Sequence, residues 1–142
     1  RDNDGGVIKT IGDAVMAAFT EPGNGLKAAL DIREHVAEFN RTHRSNPIGL
    51  KLGLHAGPCI AVTLNGRLDY FGGTVNMAAR LQGQAGSGEI VLSETIAADP
   101  AAAEMLKSQW LESDRQAIRG FRDPVSFRRL PSGDTAIKSA SE

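Results

Sequence analysis

The sequence predicts an α+β fold, a sheet with hairpin-joined strands that carries helices on its surface. Three observations lead there. Short apolar runs meet at the two-residue turn signals Gly12-Asp13 and Asn65-Gly66. Elsewhere apolar residues recur close to the helical period. The 142 residues, 41% hydrophobic and 23% charged, suffice for one core and carry too little net charge for a disordered chain.

Val7 to Ile11 and Ala14 to Phe19 are apolar runs around Gly12-Asp13 and read as paired strands. The breaker group Glu21-Pro22-Gly23-Asn24-Gly25 follows, then Leu26, Ala29, Leu30, Val36 and Phe39 mark an amphipathic helix. Leu50 to Leu64 alternates loosely up to Asn65-Gly66, after which Leu68 to Phe71 returns antiparallel. Thr74 to Leu81 reads as a helix that the Gly83 to Gly88 stretch ends. Glu89 to Leu92 is a strand, Glu94 to Gln109 an Ala-rich helix broken or bent at Pro100, and Trp110 to Ile118 and Val125 to Leu130 are two last strands. This organisation predicts a domain over 1–130 and a disordered polar tail over 131–142.

Sixteen Lys and Arg against 17 Asp and Glu leave a formal charge of -1, which argues against nucleic acid as the main partner. A single cysteine, Cys59, forms no internal disulfide, and neither a spanning apolar run nor a signal peptide is visible. The expected location is cytoplasmic, without membrane contact from this segment. The chain opens at Arg1, a few residues before a strand-like run, so it is expected to be cut from something longer.

Several chemistries are excluded as motifs: there is no G-x-x-x-x-G-K-[ST] loop, no H-E-x-x-H and no metal-spaced cysteine cluster. Asp2-Asn3-Asp4-Gly5 hints at a calcium loop, but the position that must be Glu falls on Ile11 or Gly12. The Gly83 to Gly88 stretch leads from helix to strand, the reverse of the order that aims helix amides at a phosphate.

Two polar-bearing segments remain, Lys9-Thr-Ile-Gly-Asp13 and Asp69-Tyr-Phe-Gly-Gly-Thr-Val-Asn-Met-Ala-Ala-Arg80. Alternation puts Lys9 on the face of Val7 and Ile11, where a lysine snorkels, finds a partner or contacts a ligand. An edge lysine reaching water is the plain alternative. Asp13 by itself serves a turn. Asn76 and Arg80, four apart, share a helix face and can grip one group, although in isolation such a pair is an ordinary solvated face.

Together with G-G-V-I-K-T-I-G-D-A-V-M-A-A-F and G-L-H-A-G, in order and with similar spacing from about Gly5 to about Leu130, these segments resemble the catalytic domain of class III nucleotidyl cyclases of the bacterial adenylate/guanylate type, lacking its N-terminal part. Gly73 stands where many members carry Asp or Asn. The resemblance implies a ferredoxin-like antiparallel sheet covered by helices and conversion of a nucleoside triphosphate to its 3′,5′-cyclic monophosphate and pyrophosphate.

It further implies a role for each matching residue. Asp13 matches one of two metal-binding carboxylates, for two Mg2+ (or Mn2+) ions per complete site; the other carboxylate belongs to an upstream strand expected to be missing from this chain. Asn76 matches the residue that positions the ribose, and Arg80 the one that stabilises charge on the reacting phosphate. Lys9 and Asp69 match the base-selecting pair, and a lysine donor for N1 with a carboxylate for the N6 amino group points to ATP. Arg119 matches a basic residue for the outer phosphates, with Arg122 as the fallback.

The family works as head-to-tail dimers, so a second copy of the domain is the expected partner and Lys9 and Asp13 are expected to serve opposite sites. The leading expectation is an adenylyl cyclase (adenylate cyclase) catalytic domain that is inactive as the isolated fragment. The alternatives are a guanylyl cyclase and a silent cyclase-like binding or dimerisation module.

Overall fold

The computed structural model describes residues 5–11, 14–57, 60–64, 67–71 and 73–132, with side chains over 17–57 and 73–132. Strands β1 (Gly5–Ile11) and β2 (Ala14–Phe19) pair antiparallel with Ile11 opposite Ala14, as a two-residue connection requires. Asp13 itself lies outside the described residues. The ladder shifts between Val7, opposite Ala17, and Lys9, opposite Met16. The shift interrupts the strict alternation between Val7 and Lys9, while Lys9 and Ile11, opposite Met16 and Ala14, keep a regular register.

Helix α1 (Pro22–Thr42) begins inside the group expected to act as a breaker. Pro22 occupies the start of the first turn, where its preset φ suits a helix and its missing N–H costs nothing. Gly23 and Gly25 are buried there, beside α4 (Pro100–Leu106) and Phe19 respectively. The apolar face buries Leu26 and Ala29, whereas Phe39 stays 37% exposed and stacks on His43 at 3.8 Å between ring centroids.

The run expected from Leu50 to Leu64 divides into β3 (Lys51–Leu54) and β4 (Ile60–Leu64). Strand β4 returns through β5 (Arg67–Phe71), with Leu64 opposite Arg67 on either side of Asn65-Gly66. Strand β3 joins a four-stranded sheet in the order β3-β6-β8-β7, built with β6 (Glu89–Ser93), β7 (Glu112–Gln116) and β8 (Val125–Leu130). The α+β class holds, but the β3–β6 pair is parallel where an antiparallel sheet was expected. The β4–β5 hairpin and helix α2 (Gly73–Gln82) intervene between those two strands, and a connection of that length lets a strand re-enter in the same direction.

Strand β6 lies inside the sheet and is covered on both faces. Ile90 and Leu92 pack with Leu26, Ile96, Leu106 and Leu130, while Val91 packs with Leu81, Ala85, Ile118 and Phe127. Its continuous apolar run thus reports two-sided burial. The Ala-rich segment forms α3 (Glu94–Ala98) and α4, separated at Asp99-Pro100. Asp99 caps α4, its carboxylate accepting from the Ala102 N–H at 3.1 Å. The strand expected over Trp110 to Ile118 contracts to β7, leaving Trp110 44% exposed. Just beyond β8, Pro131 is buried and its carbonyl accepts from Arg33 at 2.7 Å; residues 133–142 of the expected tail lie outside the described residues.

Candidate active site

Helix α2 carries the two residues expected to grip one group. Asn76 and Arg80 are both exposed, one turn apart, while the adjoining Leu81 is fully buried and fixes the helix on the sheet. The seat is unusually close. A Cβ built on Gly53 of β3 would lie 2.3 Å from the Gln82 backbone nitrogen and 2.6 Å from the Ala78 carbonyl oxygen. Only glycine lets α2 rest on β3 at this distance.

Arg80 reaches towards the turn at residues 118–121. There the Phe121 N–H donates to the Ile118 carbonyl at 3.0 Å, and Gly120 adopts φ of 92°, in the left-handed region. A terminal nitrogen of Arg80 stands 3.9 Å from the point a Gly120 Cβ would occupy. Arg119 belongs to this turn and is exposed, and Arg122 follows just beyond it. The tertiary structure therefore brings Arg80 and the Arg119 turn to one surface across 39 residues of chain. Such an arrangement supplies guanidinium donors for a polyanion, with Asn76 offering an amide one helical turn away.

The remaining expected residues are placed by backbone alone or not at all. Lys9 lies on β1 opposite Met16, Asp69 lies on β5 opposite Val62, and β1 packs beside β5. Asp13 is outside the described residues. Among the described residues, no group of three or more His, Cys, Asp or Glu side chains could hold a metal ion. Near Asn76 the described residues place the Arg80 guanidinium and the turn that carries Arg119.

The G-L-H-A-G segment links the starts of two helices. The Thr95 hydroxyl of α3 donates to the Ala56 carbonyl at 3.1 Å and lies 3.3 Å from His55 Nδ1, while a Cβ on Gly57 would approach Thr74 Oγ1 of α2 to 2.7 Å. Burial pushes the His55 imidazole below its ordinary pKa, because the cation loses hydration there.

Two groups escaped the sequence reading as site-building residues. Gly53 was legible as part of G-L-H-A-G, although its packing reason was not. Arg129 belongs to no motif. Its guanidinium, 17% exposed, donates to the Gln84 carbonyl, the Glu89 carboxylate and the Asp114 carboxylate at 2.7, 2.7 and 2.9 Å. The Arg129 hydrogen bond, followed by those from the Arg115 N–H and the Gln116 amide, holds the Asp114 carboxyl below the ordinary carboxylate range.

Two concavities, of about 340 and 450 Å³, lie around Glu94 and Arg128; neither is lined by Asn76, Arg80 or Arg119. Asn76, Arg80 and Arg119 are exposed and lie outside both grooves. Among the described residues no helix is long and apolar enough to cross a membrane.

A family model described as the adenylate and guanylate cyclase catalytic domain matches residues 1–124. The chain is 34% identical over 133 residues to the pH-sensitive adenylate cyclase MT1302 of Mycobacterium tuberculosis, covering 93% of this chain and 31% of that protein. In structure it is similar to the adenylate/guanylate cyclase/hydrolase from Silicibacter pomeroyi, with a TM-score of 0.76, 24% identity, and coverage of 92% of this chain and 75% of that one. It is also similar to the guanylate cyclase domain of RhGC from Catenaria anguillulae in complex with GTP, with a TM-score of 0.72, 22% identity, and coverage of 92% and 74%. These two structural likenesses speak to the fold. The chain spans about a third of the length of the curated Mycobacterium relatives it matches.

Proposed function

The chain belongs to the adenylate and guanylate cyclase catalytic-domain family, and on that premise we propose that the protein carrying it converts ATP to 3′,5′-cyclic AMP and pyrophosphate on a site completed by a second copy of the domain, arranged head to tail. The observation that carries this reading is the convergence of Arg80 with the Arg119 turn beside Asn76. Arginine forks match the oxygens of a triphosphate, and an exposed surface accepts groups from a partner domain.

In the reaction the ribose 3′-oxygen attacks the α-phosphorus, the bond from that phosphorus to the bridging oxygen breaks, and pyrophosphate leaves with the electron pair. The proton of the 3′-hydroxyl is released to solvent water, which balances the conversion of ATP to cyclic AMP, pyrophosphate and one proton. Asn76 orients the ribose, so that the 3′-oxygen lies in line with the leaving group. Arg80 stabilises charge that grows on the α-phosphoryl oxygens, and Arg119 holds the outer phosphates. Lys9 donates to adenine N1 and Asp69 accepts from the N6 amino group. Asp13 would contribute to holding two Mg2+ or Mn2+ ions, which supply Lewis-acid polarisation of the phosphates when bound.

A guanylyl cyclase is the rival within the same family, and base selection separates the two. In the complete protein, turnover is measured with ATP and with GTP for the wild type and for Lys9→Glu combined with Asp69→Cys. The expected result is a wild-type preference for ATP that the paired substitution weakens. A wild-type preference for GTP, or an unchanged ratio of the two kcat/KM values, overturns the assignment of base. Loss of turnover with both nucleotides in the wild type favours a silent binding module.

A further inference from the structure

We propose that Arg129 is a positioning residue for the phosphate-gripping surface, a three-way clamp that holds the exit of α2 and strand β7 in one arrangement and so places Arg80 and the Arg119 turn relative to each other. The role rests on the cyclase reading above.

The argument begins from connectivity. Arg80 precedes Leu81, and Arg119 follows Ile118; both apolar neighbours are buried in one cluster with Ala85, Val91 and Phe127. A shift of either segment within that cluster therefore moves an arginine at the surface. Arg129 borders the cluster from β8, its guanidinium 5.7 Å from the centre of the Phe127 ring. One terminal nitrogen donates to the Gln84 carbonyl, two residues beyond the end of α2, and to the Glu89 carboxylate at the start of β6. The other donates to Asp114 in β7, five residues before Arg119.

Glu89 extends the clamp. The same oxygen that accepts from Arg129 also accepts from the Gly86 N–H at 2.7 Å, so the loop leaving α2 is tied at Gln84 and again at Gly86. Burial on its own would lower the Arg129 pKa, yet the hydrogen bonds to Asp114 and Glu89 outweigh it and hold the group charged. Only a planar fork reaches three acceptors in this geometry. Lysine retains the charge and loses the bidentate pattern.

The test is Arg129→Lys in the complete protein, alone and combined with Arg80→Ala. If Arg129 acts through the placement of Arg80, the lysine variant lowers kcat by about tenfold with KM for ATP changed far less. In the Arg80→Ala background the same substitution lowers the residual kcat by a clearly smaller factor, since effects of groups acting as a unit are not additive and only the displacement of the Arg119 turn is left to act. Amide exchange at residues 83–86 and 118–121 rises together in Arg129→Lys, and Asp114→Asn produces the same pattern more weakly. An unchanged kcat overturns the proposal, as does an equal loss in both backgrounds, the signature of a general structural role. A wild type without turnover on either nucleotide overturns the cyclase reading; amide exchange then still decides the clamp, which is refuted if only one of the two segments loosens.

Discussion

Substituting Gly53 by alanine should unseat the helix that carries Asn76 and Arg80. The new Cβ would stand 2.3 Å from the Gln82 nitrogen, 2.6 Å from the Ala78 carbonyl oxygen and 2.7 Å from the Gln82 Cα, where ordinary contacts begin at 3.4 Å. Relief therefore demands a separation larger by about 1.1 Å. All three opposing atoms are backbone, so no rotamer change absorbs the clash. Moving α2 outward also draws Leu81 from the cluster it shares with Val91 and Phe127. Overpacking of a core costs about 1–3 kcal/mol, and a backbone-to-backbone clash belongs at the upper end of that range. A displacement near 1 Å at a reacting group is worth roughly a hundredfold in rate. In the complete protein, Gly53→Ala should lower the melting temperature, speed amide exchange along residues 77–82 and reduce kcat about a hundredfold. Unchanged melting and exchange would refute the packing argument. Lower stability with full turnover would show that the seat of α2 does not place Arg80 for the reaction.

Two further outcomes follow from the site and its surroundings. Arg80→Ala and Asp13→Ala proteins should each lose about a hundredfold or more in turnover, and mixing them should restore activity through one intact site per heterodimer; heterodimers that form and stay inactive would refute a shared site. His55 should titrate below the ordinary histidine value of about 6.5, because burial favours its neutral form. Its contribution to stability is then present above the unfolded-state value and lost as pH falls through the lower folded-state value; an NMR titration at or above the ordinary value would refute this.

The elements legible along the chain are those specified by local chemistry. Gly12-Asp13 and Asn65-Gly66 announced their hairpins because a two-residue connection restricts the residues that fit it, and both strand pairs close around them. The break at Pro100 was legible for a similar reason, since proline cannot continue a helix from within. Less legible were places where packing overrides propensity. Glycines that resemble a breaker at Gly23 and Gly25 instead lie in the first turn of α1, buried beside α4 and Phe19. Strand β3 separates from β4 and runs parallel to β6, a choice made by partners distant in sequence.

The same division runs through the site. Residue types and their spacing determined the family and the one-turn separation of Asn76 from Arg80, since each depends on neighbours within a short stretch of chain. Only the folded chain decided that Arg80 reaches the turn of Arg119, that Gly53 must be bare for α2 to rest on β3, and that Arg129 joins Gln84, Glu89 and Asp114. These are contacts between segments far apart in sequence. Their geometry is set by how two faces of one sheet are filled, a condition that no local pattern of residues encodes.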